Sequence, residues 1–306
     1  MQPENALKSI DSQTKKIRTK HCLRRAFTLI ELLVSISVIS VMAAILLPAL
    51  GNVRRQARKI VGTNNQRQIV VGVNLFAVDN NERYPESVAT IGDYASWNWQ
   101  EPMMLTGYRA RNLHLHRSVS AYLHSYIKTA DTLYCPNAPQ EYKYLQQAWD
   151  DGDSWDNPET PPVGDPVSGT YCFYWNYTGY LEDRDFLFQG PQNTIGGRSQ
   201  SKLLVSDYSG YDHWRSRNSY SSCEKFAGAS ITEGTQLSSA YWSREDLDGS
   251  NAPEIKLQAG YTDGHIETFS SLDTIIMKVI LIPETGEPYP EDIAPGNFHL
   301  PLNAMH

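Results

Sequence analysis

The chain has 306 residues, and 27 Lys/Arg against 34 Asp/Glu give it a formal net charge of −7. Residues 1–26 hold seven basic and two acidic residues, so the rest of the chain carries 20 basic and 32 acidic residues, a net charge of −12. This acidic balance argues against nucleic-acid binding, which needs a basic surface. Eighteen Tyr and seven Trp favour a sheet-rich domain.

An apolar segment follows the basic leader. Between Leu32 and Leu47 the only polar side chains are those of Ser35, Ser37 and Ser40, and their hydroxyls can bond back to their own helix. Phe27 to Leu50 is 24 residues. As a helix this stretch is roughly 36 Å long, enough to cross a hydrocarbon core. The segment therefore predicts a membrane-spanning helix.

Glu31 is the one carboxylate in this segment. An ionised carboxylate costs at least about 2.5 kcal/mol at a bilayer centre, so an intramembrane Glu indicates a functional role. The alternative is that Glu31 lies at the headgroup boundary and is merely solvated.

Two other kinds of N-terminal segment also combine basic and apolar residues. A secretory signal peptide has a shorter apolar core and then a cleavage site, whereas here a helical pattern continues beyond Leu50. A plain signal anchor is the stronger alternative. Six basic residues precede the apolar segment, from Lys15 to Arg25, and five follow it, from Arg54 to Arg67. Because the two numbers are nearly equal, the positive-inside rule scarcely predicts the orientation of the helix.

Residues 24–34 (Arg-Arg-Ala-Phe-Thr-Leu-Ile-Glu-Leu-Leu-Val) closely resemble the prepilin processing and methylation motif of type IV pilins and type II secretion pseudopilins. The resemblance implies that a membrane prepilin peptidase cuts between Ala26 and Phe27 and methylates the new amino terminus. It also implies that Glu31 and Pro48 are the assembly carboxylate and the helix proline of that family. Ala26 departs from the usual Gly, but it is also small.

Helical spacing continues from Asn52 to about Asp79 without a proline or a helix-stopping pair. Gly62 and Gly72 each weaken this helix by about 1 kcal/mol relative to Ala, which favours local melting. Half of the helix is expected in lipid and half packed on a domain. Six residues form an imperfect stripe along one side of this helix, and Arg and Lys lie on the opposite side. The residues of the stripe are Val53, Ala57, Ile60, Val61, Asn64 and Gln68.

The later elements are predicted from local composition. A helix is expected near Val119–Lys128, and a long exposed loop from Asp150 to Pro162. Strands are expected within Thr170–Tyr180 and Lys202–Asp207, and a hairpin over Ile255–Phe269 turning at Asp263-Gly264. A final helix is expected over Leu272–Ile282, followed by an irregular, exposed, proline-rich tail.

These elements predict an α+β fold, with a long N-terminal membrane-spanning helix followed by an exterior domain on an antiparallel sheet. The predicted divisions are a basic leader (1–26), a transmembrane helix (27–50), an amphipathic helix extension (51–82), the exterior domain (83–282) and the tail (283–306).

A second resemblance covers most of the chain. Pieces such as Leu46-Leu47-Pro48-Ala49-Leu50, Cys135-Pro136, Leu203-Leu204-Val205-Ser206-Asp207 and Tyr261-Thr262-Asp263-Gly264-His265-Ile266 look like the pseudopilin-like proteins with a C-terminal "H-X9-DG" domain. The naming histidine is absent, because Pro253 stands ten positions before Asp263.

Metal or catalytic chemistry has weak candidates. Asp207, Asp263 and His265 could converge, and His114 and His116 form an i, i+2 pair without an identifiable third ligand. Two acidic loops are weak calcium candidates through Asp150 and Asp153, and through Asp246 and Asp248, although the second departs from the EF-hand pattern. Solvated loops are the simpler interpretation, so neither catalysis nor a cofactor is expected.

Cys22 leaves with the leader, so Cys135, Cys172 and Cys223 allow one disulfide and one spare thiol, with the pairing open.

The resemblance implies a pilin- or pseudopilin-like structural subunit of a type II secretion or type IV pilus-like filament. Its partners would be the prepilin peptidase, other subunits and inner-membrane lipid, and its domain would lie in the periplasm or on the cell surface. The alternative is a tethered or filament-borne binding module. In that alternative, four tryptophans would stack on glycans: Trp97, Trp99, Trp155 and Trp175.

Overall fold

The structure is a computed structural model. It describes residues 27–90, 101–106, 117–137, 144–156, 167–181, 186–195, 201–211, 218–219, 242–243, 254, 256–278 and 297–305.

Helix α1 spans Leu29–Asp79, 51 residues with Pro48 inside it. The predicted continuation to Asp79 is confirmed. The predicted melting at Gly62 and Gly72 is wrong, because the helix runs unbroken through both and buries both on its packing face. A Cβ on Gly72 would lie 2.9 Å from Ile127 Cγ1, so this glycine allows close packing of the helix.

The later helices are short. Helix α2 (Val119–Leu123) is begun by Ser118, whose side chain accepts a hydrogen bond from the Ser120 N–H. Helix α3 (Leu145–Asp151) runs directly into a 3-10 turn at Gly152–Ser154, and another 3-10 turn covers Ala130–Leu133. The loop predicted to start at Asp150 is therefore helical through Ser154, and residues 157–166 lie outside the described part.

Eleven strands are described: β1 (Tyr171–Phe173), β2 (Thr178–Leu181), β3 (Phe186–Gln189), β4 (Leu203–Asp207), β5 (Gly210–Tyr211), β6 (Asn218–Ser219), β7 (Trp242–Ser243), β8 (Lys256–Tyr261), β9 (Ile266–Ser270), β10 (Thr274–Lys278) and β11 (Asn297–Pro301). They form a four-stranded sheet in the order β1-β4-β8-β9, a five-stranded sheet in the order β3-β2-β10-β11-β5, and the pair β6-β7.

All described strand pairs are antiparallel. The hairpin predicted at Asp263-Gly264 is the β8–β9 connection, and Gly264 there has a φ of +91°, a conformation that favours glycine. The predicted strand at 202–207 is β4, which is buried throughout. The α+β prediction is confirmed.

The C-terminal predictions need two corrections. Thr274–Lys278 is strand β10, not part of a helix, and it pairs with β11 over five residues. The region predicted as an irregular, exposed tail contains β11, where Phe298 and Leu300 are fully buried. Leu300 lies opposite Ile275, so this segment belongs to the core of the five-stranded sheet.

The chain divides into two compact units, Met1–Gly51 and Asn52–His306. The second unit, called the sheet domain below, has two clusters of buried side chains. One joins α1 to α2, α3 and one face of the four-stranded sheet, and the other takes side chains from both large sheets. The predicted boundaries at 26, 50, 82 and 282 stay a prediction.

Strand β8 shows how its alternating residues divide between these clusters. Leu257, Ala259 and Tyr261 join the cluster shared by the two sheets. Between them, Gln258 accepts a hydrogen bond from Thr63, and a Cβ on Gly260 would lie 2.8 Å from Val70 Cγ2 of helix α1. One face of the four-stranded sheet therefore packs against helix α1. The opposite face presents apolar side chains to the cluster that it shares with the five-stranded sheet.

The side of α1 that packs on the sheet is not the predicted stripe. Its buried residues are Gly62, Asn65, Gln66, Ile69, Val70, Gly72, Val73 and Ala77. The predicted stripe is instead exposed, with Val53 and Ile60 more than half accessible. Amides and glycines contribute to the packing face, and a search for apolar periodicity does not count them.

Candidate functional site at the start of helix α1

The first turn of helix α1 is closed by a reciprocal hydrogen-bond pair. The backbone N–H and the hydroxyl of Thr28 both donate to Glu31 Oε2, at 2.9 and 2.8 Å. In return the Glu31 N–H donates to Thr28 Oγ1 at 3.2 Å. This is a capping box, in which Thr28 is the N-cap residue and Glu31 stands three positions later.

The capping box gives Glu31 a role within its own chain. Its carboxylate satisfies a backbone N–H that the helix leaves without a partner, and it lies at the positive end of the helix dipole. Sequence reasoning missed Thr28 as its partner. The signal was available, because Thr-x-x-Glu before an apolar run is the capping-box pattern.

The serine hydroxyls of the apolar segment form hydrogen bonds within their own helix. Ser35 and Ser40 donate to the carbonyls four residues back, at 2.7 and 2.8 Å, and Ser37 donates to Val34 O at 2.8 Å. The predicted back-bonding is confirmed. These hydroxyls therefore need no water or partner chain.

Large apolar side chains of this segment are exposed, for example Ile30 and Leu47. Within the described part of the chain, α1 is the helix long and apolar enough to cross a membrane, by length and composition. Pro48 lies within the helix, where its ring removes one backbone donor. Phe27 is described and exposed, whereas Ala26, the other predicted processing residue, lies outside the described residues.

The carboxylates of the first calcium candidate, Asp150 and Asp153, have hydrogen-bond and ion-pair partners within the protein. Asp150 hydrogen-bonds with His124 at 3.2 Å and accepts from Gln146 Nε2 at 2.9 Å. Asp153 accepts from the Ser118 N–H at 2.6 Å and pairs with Arg117 at 3.9 Å. These contacts tie the end of α3 and its following turn to α2.

The other metal candidates lie outside the described residues: Asp246, Asp248, His114 and His116. Among the residues that the structure does describe, no group of three or more His, Cys, Asp or Glu side chains could hold a metal ion. The calcium hypothesis stays a prediction.

Asp263 and His265 do meet at the β8–β9 turn. His265 Nδ1 hydrogen-bonds with Asp263 Oδ1, and the His265 ring stacks on Tyr261 with centroids 4.4 Å apart. Partial burial of Asp263 raises its pKa, but hydrogen bonds from the His265 side chain and backbone outweigh burial and lower the pKa below its usual value. Asp207 instead accepts from Gln66 and from the Gln258 N–H.

Two of the four predicted glycan-stacking tryptophans belong to the core. Trp155 and Trp175 are each 2 % exposed, so neither can stack on a ligand at the surface. Trp97 and Trp99 lie outside the described residues.

The two described cysteines differ in oxidation state, and the pairing of the disulfide stays a prediction. Cys135 is disulfide-bonded to a partner outside the described residues, and Cys172 is a free, buried thiol. Burial raises the pKa of the Cys172 thiol far above its usual value, so it is unreactive in the folded domain.

A comparison with known protein families gives a match that coincides with this helix start. Residues 23–47 match the family model described as the prokaryotic N-terminal methylation motif. No curated protein and no solved structure matches the chain. The matched residues include the Ala26–Phe27 junction, the Thr28–Glu31 capping box and the apolar run. The chain therefore carries an N-terminal methylation motif of the prepilin type, placed at the start of an apolar helix that is long enough to cross a membrane.

Proposed function

We propose that this protein is a pilin- or pseudopilin-like subunit that is cut before Phe27, methylated there, and assembled through helix α1 into a filament. The observation that carries the proposal is the methylation motif at residues 23–47, since it coincides with the start of an exposed apolar helix. Prepilin peptidase, other subunits and inner-membrane lipid are its expected partners. The sheet domain would lie on the periplasmic side or on the cell surface.

In this proposal Glu31 has two successive roles. Before assembly its carboxylate caps its own helix through Thr28. In the filament it would pair with the methylated ammonium of Phe27 on a neighbouring subunit, and that pairing would select one axial register. Breaking a buried ion pair typically costs about 3–5 kcal/mol, whereas losing a helix cap costs about 0.5–2 kcal/mol. Loss of the ion pair should therefore cost more free energy than loss of the cap.

The capping box makes it possible to test the charge separately from the cap. Glu31→Gln keeps an oxygen that can accept from Thr28, because Gln also serves in capping boxes, but it removes the negative charge. We expect Glu31→Gln to be cut by the peptidase and to accumulate as a processed membrane monomer. Shear-fraction immunoblotting of cells that contain the native assembly machinery measures entry into filaments.

Thr28→Val is the matched control. It keeps the Glu31 charge and removes the hydroxyl that donates to Glu31 Oε2 and accepts from the Glu31 N–H. We expect this variant to assemble nearly as well as the unaltered protein. If Glu31→Gln enters filaments at the normal level, the charge sets no register and the helix is a plain anchor. If Thr28→Val fails as well, assembly requires the cap in addition to the charge.

A further inference from the structure

Helix α1 carries four of its five basic residues in one short band. Arg54, Arg55, Arg58 and Lys59 follow the apolar segment directly, and Arg67 stands farther along. The helix has no acidic residue between Glu31 and Asp79. Residues 80–306, in contrast, hold 15 basic and 30 acidic residues. The band is thus a positive feature that precedes a long segment, residues 80–306, in which acidic residues outnumber basic ones.

The three arginines of the band are available to a partner. Arg54, Arg55 and Arg58 are exposed, and within the residues that the structure describes none of them forms an ion pair. Lys59 differs, since its Nζ donates to Lys256 O at 3.4 Å and ties the helix to strand β8. The acidic sheet domain therefore leaves these three guanidinium groups without a described carboxylate partner.

The spacing along the helix indicates what they meet. At 1.5 Å per residue, Arg54 lies about 6 Å beyond Leu50 and Arg58 about 12 Å beyond it. The headgroup layer of a bilayer is about 5–8 Å thick on each side of the hydrocarbon core. Helical side chains tilt toward the helix N-terminus, so these arginines reach back toward the end of the apolar segment. Arg67, about 25 Å beyond Leu50, is out of reach.

We infer that Arg54, Arg55 and Arg58 bind the phosphate groups of anionic phospholipids in the leaflet from which the sheet domain emerges. Arginine holds phosphate through two parallel N–H donors, and its apolar stem can remain against the lipid. The band then fixes the depth of helix α1 from the domain side. This inference rests on the proposed membrane-spanning role of helix α1 and does not depend on filament assembly.

The test uses the full chain reconstituted in vesicles of phosphatidylcholine and phosphatidylglycerol. Electron paramagnetic resonance with spin-labelled lipids of each kind measures the preference of the protein for the anionic lipid. Replacing Arg54, Arg55 and Arg58 by Gln should lower that preference by about threefold or more, since each basic residue near an anionic surface contributes to binding. High salt should reduce the preference of the unaltered chain toward that of the triple variant.

Arg67→Gln is the control, since it removes the same chemistry from the same helix beyond the headgroup layer. It should leave the lipid preference unchanged. The basic residues of the leader are common to all variants and cancel in the comparison.

The possible outcomes of this experiment contradict different parts of the proposal. Failure of the unaltered chain to float with vesicles would overturn the membrane-spanning role itself. If the chain floats but the triple variant keeps the full preference for phosphatidylglycerol, the headgroup inference is wrong. Loss of self-association in the triple variant, with the lipid preference intact, would assign the band instead to the acidic domain of a second copy.

Discussion

The Gln66 side chain in helix α1 donates a hydrogen bond to the carboxylate of Asp207 in strand β4, over 2.8 Å, with both residues fully buried. The other oxygen of Asp207 accepts from the Gln258 N–H of strand β8 at 3.0 Å. One carboxylate thus joins the helix to two strands of the four-stranded sheet.

Asp207→Asn should destabilise the sheet domain. The new amide offers one acceptor and one donor where the protein presents two donors, so one buried N–H loses its partner. Such a loss costs about 1–3 kcal/mol. Urea unfolding of the full chain in detergent, followed by near-ultraviolet circular dichroism, measures it. Asp273→Asn, at an exposed position, is the control and should change little. Equal stability of the two variants would contradict the role given to Asp207.

Gly190 should tolerate no side chain. A Cβ there would lie 1.6 Å from Tyr174 O and 2.7 Å from Tyr174 C, and both are backbone atoms that cannot turn away. We expect Gly190→Ala to cost at least about 3 kcal/mol, the upper range for overpacking. Gly51→Ala has no atom within 4 Å of the added group, and it should stabilise the helix by up to about 1 kcal/mol. Thermal unfolding of both variants checks the pair, and a Gly190→Ala protein as stable as the parent would refute this packing.

The sheet domain should lose stability at high pH. Burial raises the pKa of Tyr84 to about 12, and it raises the pKa values of Tyr171, Tyr174 and Tyr177 well above 10. The folded state therefore holds these protons more tightly than the unfolded state. Their stabilising contribution is complete below pH 10 and falls as the pH rises from about 10 toward 12 and beyond.

Tyrosinate absorbance and near-ultraviolet circular dichroism, recorded in one titration, test this. The last tyrosines should ionise together with the loss of tertiary structure. Ionisation of all eighteen tyrosines near pH 10, with the circular dichroism unchanged, would contradict the burial described.

The mature protein should begin at Phe27 with one added methyl group, and its disulfide should join Cys135 to Cys223. Cleavage removes Cys22, and Cys172 is a free, buried thiol, so Cys223 is the remaining candidate partner of Cys135. Intact mass and non-reducing peptide mapping measure both features, and Cys172 should be alkylated only after denaturation. A mature terminus at Met1, or a Cys135–Cys172 link, would refute the corresponding part.

Strongly local signals were predictable from the sequence. Asp263-Gly264 between alternating segments predicted the β8–β9 hairpin, because a tight turn needs residues that adopt positive φ. The run Leu203–Asp207 predicted a buried strand. The methylation signal was readable because its residues act within a few positions of one another.

Elements that depend on distant partners were not predictable in the same way. The run Thr274–Lys278 fits a buried strand as well as a helix, since a short apolar run has no decisive period. Its pairing with β11 decides the matter, and that partner begins about twenty residues later. At the other end of the chain, Gln66 is polar and mid-helix, so only the buried carboxylate of Asp207 reveals its position in the core.

The place of β11 has a consequence for the order in which this domain can form while the chain is synthesised. Strand β11 lies between β10 and β5 in the five-stranded sheet, so β5 has its neighbour in that sheet only after residues 297–301 have been added. The four-stranded sheet and the part of helix α1 that packs on it use residues up to 270 and can associate earlier. Until synthesis reaches Pro301, the face of the four-stranded sheet that β11 helps to cover stays open, so the domain folds in two stages set by the direction of synthesis.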